Sequence, residues 1–320
     1  MRNKRSRRRT STEVNLVIIL LVLMMILSIA TKGTFLSISN LTNLLRQTSI
    51  NGVVAAAMLF VIITGGIDLS VGAVVGVSGM IFALLTSSMM PYQYPMILAF
   101  IIALFVSTLI GLGNGIAIYD GKVPPFIATL GIMTFTRGLT MYLSSGRMIT
   151  GIPKSFIQFS YKKYLGIPGL ALVWVISVLI AEFVLKYTKF GRNLYALGSN
   201  PEAARLSGIN LRLNYYGAYM TSGFLSGVAG IMLASRLAAG VPTAGQGYEL
   251  DAIAAVVIGG ASLSGGVGSA FGTALGAFLI QTLRNGGNLL GVDPFVMQMV
   301  IGLIIVVAVF VDQYAKSRRS

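Results

Sequence analysis

Asp68 is the first residue in this sequence with chemistry to offer. It stands in ITGGIDLSVG, where a glycine-rich break separates two apolar runs. Such a break frees backbone groups that need partners, and a carboxylate there is tolerated only against protein or a water-filled cavity. Two roles fit: Asp68 caps the following helix together with Ser70, or it lines a cavity or gate. Arg137, in TFTRGLT, is the one basic residue placed inside an apolar span, which makes it a candidate for an internal pair or a pathway contact. Asn51, Gln47, Asn114, Thr134 and Thr136 are neutral groups that bind hydroxyls or join helices. Asp68, Ser70, Asn51, Thr134 and Arg137 are therefore the candidate pathway or gate residues.

The remaining inventory excludes more than it supplies. The chain has no cysteine and no histidine, so disulfide frameworks, Cys or His zinc sites and imidazole catalysis are unavailable to it. Of the few carboxylates, Asp120, Glu202 and Asp312 are expected in cytoplasmic loops or tail, and Glu249, Asp251 and Asp293 on the outer side. Glu182 lies one turn before Lys186, where pairing and snorkelling account for it. No carboxylate pair, metal cluster or activated nucleophile is visible, which ranks a membrane-embedded enzyme last. There is no G-x-x-x-x-G-K-[ST], and GLGNG falls mid-span, where no phosphate would go. No cofactor or metal is expected, and energy for pumping must come from a gradient or from a partner.

The elements that must position these residues are membrane helices. Hydrophobic residues make up 55% of the 320, charged ones 10%, and the mean hydropathy is +0.82, too little polar surface for a water-soluble globule. The net charge of +15 reflects basic residues at span ends and loops, so it speaks for orientation in a bilayer and not for nucleic acid. Apolar runs near bilayer length predict ten spans, at about 14–32, 50–66, 70–89, 95–118, 125–143, 169–187, 213–235, 250–262, 268–284 and 294–312. The first follows an Arg-rich stretch and has no small-residue cleavage site, so it reads as an uncleaved helix, ahead of a signal peptide or a twin-arginine signal.

Alternation from a cytoplasmic N-terminus places most basic residues inside, including the cluster at the start, Lys122, the group from Lys186 to Arg212 and the basic tail. An even number of spans follows. The expected divisions are a basic cytoplasmic segment at 1–13, a single transmembrane domain at 14–312 and a cytoplasmic tail at 313–320. SISNLTNLLRQTSI, between the first two spans, predicts an interfacial helix on the outer side, and Ser144 to Gly169 the largest outer loop. Glycines at Gly111/Gly115, Gly223/Gly227 and Gly268/Gly272/Gly276 have the spacing that lets helices approach closely. GGIDLS at 65–70 echoes GGASLS at 259–264, both near cytoplasmic span ends in this topology.

One long polar interruption remains, FGRNLYALGSNPEAARLSGINLR at 190–212. Asn200 suits an N-cap with Pro201 at the first helical position, Glu202 and Arg205 stand three apart, and Gly208 is a C-terminal stop. The segment reads as a short amphipathic helix outside the bilayer, either tucked against the membrane or serving as a docking knob for a cytoplasmic partner.

With FIATLGIMTFTRGLTM, PTAGQGYELDAIAAVVIGGASLSGG, NGGNLLGV and TGGIDLSVG, this stretch resembles the membrane permease subunits of bacterial ABC sugar importers, ribose-type permeases in particular, from about Leu36 to Asp312. The resemblance implies an all-α permease of about ten helices, with some spans broken at Gly-rich motifs, in the bacterial cytoplasmic membrane. It implies a dimer of permeases, a cytoplasmic ABC ATPase subunit and an extracytoplasmic sugar-binding protein. Asn200, Pro201, Glu202, Ala203, Arg205, Leu206 and Gly208 would then form the element that couples to the ATPase. The alternatives are the same machinery carrying a nucleoside or branched-chain amino acid, and a gradient-driven carrier with Asp68 as its proton site.

Overall fold

The computed structural model describes residues 2–164 and 166–317. Thirteen α-helices lie among the described residues: α1 (Arg2–Ala30), α2 (Ile38–Ile63), α3 (Val71–Thr86), α4 (Met96–Tyr119), α5 (Pro125–Ser144), α6 (Lys154–Tyr161), α7 (Gly169–Tyr187), α8 (Lys189–Ser199), α9 (Pro201–Leu206), α10 (Leu211–Leu237), α11 (Tyr248–Ile258), α12 (Ala270–Leu289) and α13 (Pro294–Ser317). Each of the ten predicted spans overlaps one of α1–α5, α7 and α10–α13. Six of these, α1, α2, α4, α5, α7 and α10, have apolar segments long enough to cross a membrane, whereas α3, with 16 residues, and α11, with 11, are shorter. At about 1.5 Å per residue α11 covers roughly half a bilayer, and the glycines after it end the helix early.

α2 is the centre of the bundle. Every residue from Thr48 to Thr64 is buried, so this helix is enclosed on all sides. Around it pack α10, α12, α11 and α7. α4, α5, α7 and α13 turn Ile101, Phe105, Phe135, Ile180 and Leu303 outward, the surface a lipid-embedded bundle requires. α4 crosses α10 where glycine faces glycine: a Cβ on Gly111 would lie 2.2 Å from the Tyr219 carbonyl, and one on Gly223 would lie 2.3 Å from that of Ser107. Only hydrogen fits there, and the backbones gain close contact in return.

Two sequence expectations change. The interfacial helix expected at 37–50 is the first half of α2. Ser37 caps it by accepting from the Asn40 amide, no Gly or Pro breaks the run before Gly52, and Ser49 satisfies its hydroxyl on the Leu45 carbonyl, so the polar residues ride inside a continuous helix. The expected outer loop is also ordered. It holds α6 and a two-stranded hairpin, β1 (Lys163–Tyr164) and β2 (Ile167–Pro168), and the Phe156 ring of α6 packs tilted against Phe82 with centroids 4.5 Å apart. Glu182 is buried and accepts from the Ala270 amide, capping the start of α12. α1 extends through the basic segment, and the last tail residues, 318–320, lie outside the described ones.

Candidate functional site

The polar interruption folds as two short helices at one end of the bundle. Thr188 caps α8 by accepting from Gly191, and Asn200 caps α9 by accepting from the Ala203 amide at 3.0 Å, with Pro201 in the first turn and Gly208 at φ +78° beyond its end. Arg205 and Glu202 pair at 2.8 Å on the open side. Ala204 points inward, while Leu206 stands 79% exposed, an apolar tip on an otherwise polar projection. The sequence thus located the cap, the ion pair and the stop of α9, but showed α8 only as part of a polar stretch.

α8 is wedged against both glycine-rich loops. The Gly266 amide donates to the Ile63 carbonyl at 2.9 Å, joining the loop after α2 to the loop after α11. Gly198 of α8 sits on this junction: a Cβ there would lie 1.8 Å from the Ile63 oxygen and 2.6 Å from the Gly266 nitrogen. Tyr195 adds a hydrogen bond to the Gly268 carbonyl at 2.8 Å. The GGIDLS and GGASLS echoes therefore meet in space, and the helix that carries α9 fills the notch between them.

Asp68 is a buried hub within the first loop. Its Oδ1 accepts from the Ser70 amide at 2.9 Å, the Ser70 hydroxyl at 2.6 Å and Asn114 Nδ2 at 3.4 Å, and its Oδ2 accepts from the Ser222 hydroxyl at 2.8 Å. These four donors come from the loop itself, α4 and α10. Ser70 is the residue before α3, so Asp68 shapes the entry to that helix through an Asx-type turn while tying it to two neighbours. Ser222, far away in the sequence, was the partner that no motif announced.

The other candidates lie apart. Arg137 reaches from α5 past Gly76 of α3 to donate to the Ala244 carbonyl at 2.5 Å, bracing the loop before α11. Thr134 faces outward and bonds back to the Leu130 carbonyl. Asn51 is buried in α2 and lines a polar cavity. α10, with 27 residues, separates that cavity from α9 by roughly 40 Å at the standard helical rise.

The family described as branched-chain amino acid transport system / permease component matches residues 40–309. The chain belongs to that permease family. The permease is similar to the ribose import permease protein RbsC of Haemophilus influenzae, 43% identical over 291 residues covering 89% of this chain and 88% of the relative. It is 46% identical to RbsC of Bacillus subtilis over 88% of this chain and 86% of that protein. It is 36% identical to the xylose transport system permease protein XylH of Haemophilus influenzae over 91% and 93% of the two chains. No solved structure gives a significant match. A bundle of apolar helices in this family makes the permease a multi-pass membrane protein.

Proposed function

We propose that this permease is the membrane-spanning subunit of an ATP-driven importer that translocates a monosaccharide, ribose or a related pentose or hexose. The observation that carries the reading is its 43–46% identity to two ribose import permeases over nearly the whole of both chains. Import needs fuel. A cytoplasmic ABC ATPase supplies it by docking on α9, through Pro201, Glu202, Ala203, Arg205 and the exposed Leu206, while Asn200 and Gly208 set the ends of that helix. An extracytoplasmic binding protein delivers the sugar, and a second copy of the permease completes the conduit. The transmembrane domain at 14–312 lies in the cytoplasmic membrane, with the segment 1–13 and the tail 313–320 on the ATPase side.

The geometry supports a mechanical route. Movement of α9 carries α8, and α8 has no clearance at Gly198, so the displacement passes to the loops after α2 and α11 together. Asp68 keeps the first loop attached to α4 and α10 as it moves. A gradient-driven carrier would instead ask Asp68 to take up and release protons, a role less suited to a carboxylate anchored by four donors in three segments.

The test is co-purification with the ATPase, then sugar-stimulated ATP hydrolysis and uptake in proteoliposomes with ribose, xylose, a nucleoside and leucine as competitors. The expected result is ATP-dependent uptake displaced by pentoses. Displacement by leucine or the nucleoside alone, or uptake that needs no ATPase, would overturn it. Glu202→Lys and Arg205→Glu should sharply reduce ATP-driven uptake. Folding should be left intact, because the pair is exposed and screened by solvent. Full uptake by both variants would remove α9 as the docking element.

A further inference from the structure

At the far end of α10 from α9, a cavity of about 260 Å³ opens between α2, α10, α11 and α12. Its lining is polar: Asn51, Arg236, Tyr248, Asp251, Gln281 and Arg284 all face it. Asp251 and Arg284 pair at 2.6 Å and neutralise one another, and Asp251 is 4% exposed. Arg236 is half-buried, with no carboxylate in ion-pair range among the described residues.

Three of these residues carry a buried polar atom that makes no well-formed hydrogen bond: Asn51 Oδ1, Gln281 Nε2 and Arg284 Nε. Gln281 reaches Asp251, and Asn51 the Tyr248 hydroxyl, only through long, poorly formed hydrogen bonds that a ligand can replace. Each unpaired buried atom is destabilising, a burden tolerated where a ligand completes the set. Such groups inside a membrane bundle mark a solute path by default.

The geometry points to this cavity as a transient binding site for a neutral, hydroxyl-rich solute, the monosaccharide of the proposed function, on whose assignment this inference rests. A hydroxyl both donates and accepts, and the lining supplies both: guanidinium, amide and phenol donors stand beside the Asn51 and Asp251 acceptors. A phosphate or carboxylate only accepts: it would be drawn to Arg236 but would meet the Asp251 carboxylate at close range and leave the acceptor side of the lining unused. The volume equals about nine water molecules at roughly 30 Å³ each, the size of one small solute. Tyr248 adds an aromatic ring of the kind on which a sugar face rests.

The chain carries its own reporter. Trp174 is its only tryptophan, and its indole lies against Gly52, the residue after Asn51: a Cβ on Gly52 would fall 2.1 Å from Trp174 Nε1. D-ribose titrated into the full-length permease in nanodiscs should change Trp174 emission saturably. Gln281→Leu and Arg236→Gln should each raise the half-saturating concentration about tenfold, as expected for one lost hydrogen bond, with melting temperature recorded for each variant. The Arg236 variant keeps the test valid should the buried Gln281 variant misfold.

Uptake by the complete importer is measured in parallel. Wild-type half-saturation in both folded variants would overturn the site while leaving sugar import intact. A response to ribose 5-phosphate but not to ribose would overturn the neutral-solute assignment. Absence of any sugar uptake by the wild-type importer would remove the functional reading itself, and the site with it.

Discussion

Asp68 shows how much one carboxylate can organise when it is buried among donors. Removing it in Asp68→Ala leaves Ser70, Ser222 and Asn114 without their shared acceptor, and the expected cost is on the order of 2–4 kcal/mol, read as a lowered melting temperature in detergent. Ser222→Ala loses a single bond and should cost about 1 kcal/mol. Equal melting temperatures for Asp68→Ala and wild type would reduce the hub to a tolerated contact. The sequence marked Asp68, because a charge in a glycine break stands out, and it offered Ser70 as companion because the two are neighbours. It offered Asn114 only as one neutral group among several and was silent on Ser222, since a hydroxyl on an apolar helix has no signature until the other helix is in place. The polar lining of the cavity was hidden for the same reason. Asn51 stood among the candidate pathway residues and Asp251 among the outer-side carboxylates, but only packing brings them to one wall with Arg236 and Arg284.

Among the elements, α8 carries the sharpest geometric constraint. Gly198→Ala places a methyl inside contact distance of two backbone atoms that cannot turn away, so it should cost about 1–3 kcal/mol or more and weaken ATP-driven uptake. Gly131→Ala on α5, where no atom lies within 4 Å of the added methyl, should leave stability unchanged or raise it by up to about 1 kcal/mol. Parallel thermal melts of the two variants distinguish a packing glycine from a permissive one, and similar melts would deny α8 its tight seat. α9 was legible in advance because capping is local chemistry: Asn200, Pro201, Glu202 and Gly208 sit within nine residues. The first half of α2 was misread because its Ser, Asn, Thr and Arg residues look interfacial when taken alone, yet Thr42 and Ser49 bond within the helix while Asn40 and Arg46 bond to neighbouring segments, so the helix continues into the core.

For the whole molecule, composition sufficed to predict a membrane bundle, and apolar runs located every helix large enough to span or half-span it. Sidedness rested on charge, and the absence of cysteine makes it directly measurable. Leu206→Cys and Gln93→Cys lie at opposite ends of the bundle, since α3 and α10 both run away from the α8 end. An impermeant maleimide should label Gln93→Cys in intact cells and Leu206→Cys only after permeabilisation; the reverse pattern would invert the topology and the docking proposal with it. Enclosure of α2 has a further consequence. A shaft gripped on every side cannot roll about its axis, because each side chain from Thr48 to Thr64 would have to enter a socket shaped for its neighbour. It is left free only to tip or to move as one rigid rod with the helices that grip it. In the proposed cycle, a stroke arriving at Thr64 therefore also shifts Asn51, about 20 Å away at the standard helical rise, so the grip on the cargo loosens in time with the stroke and needs no separate trigger.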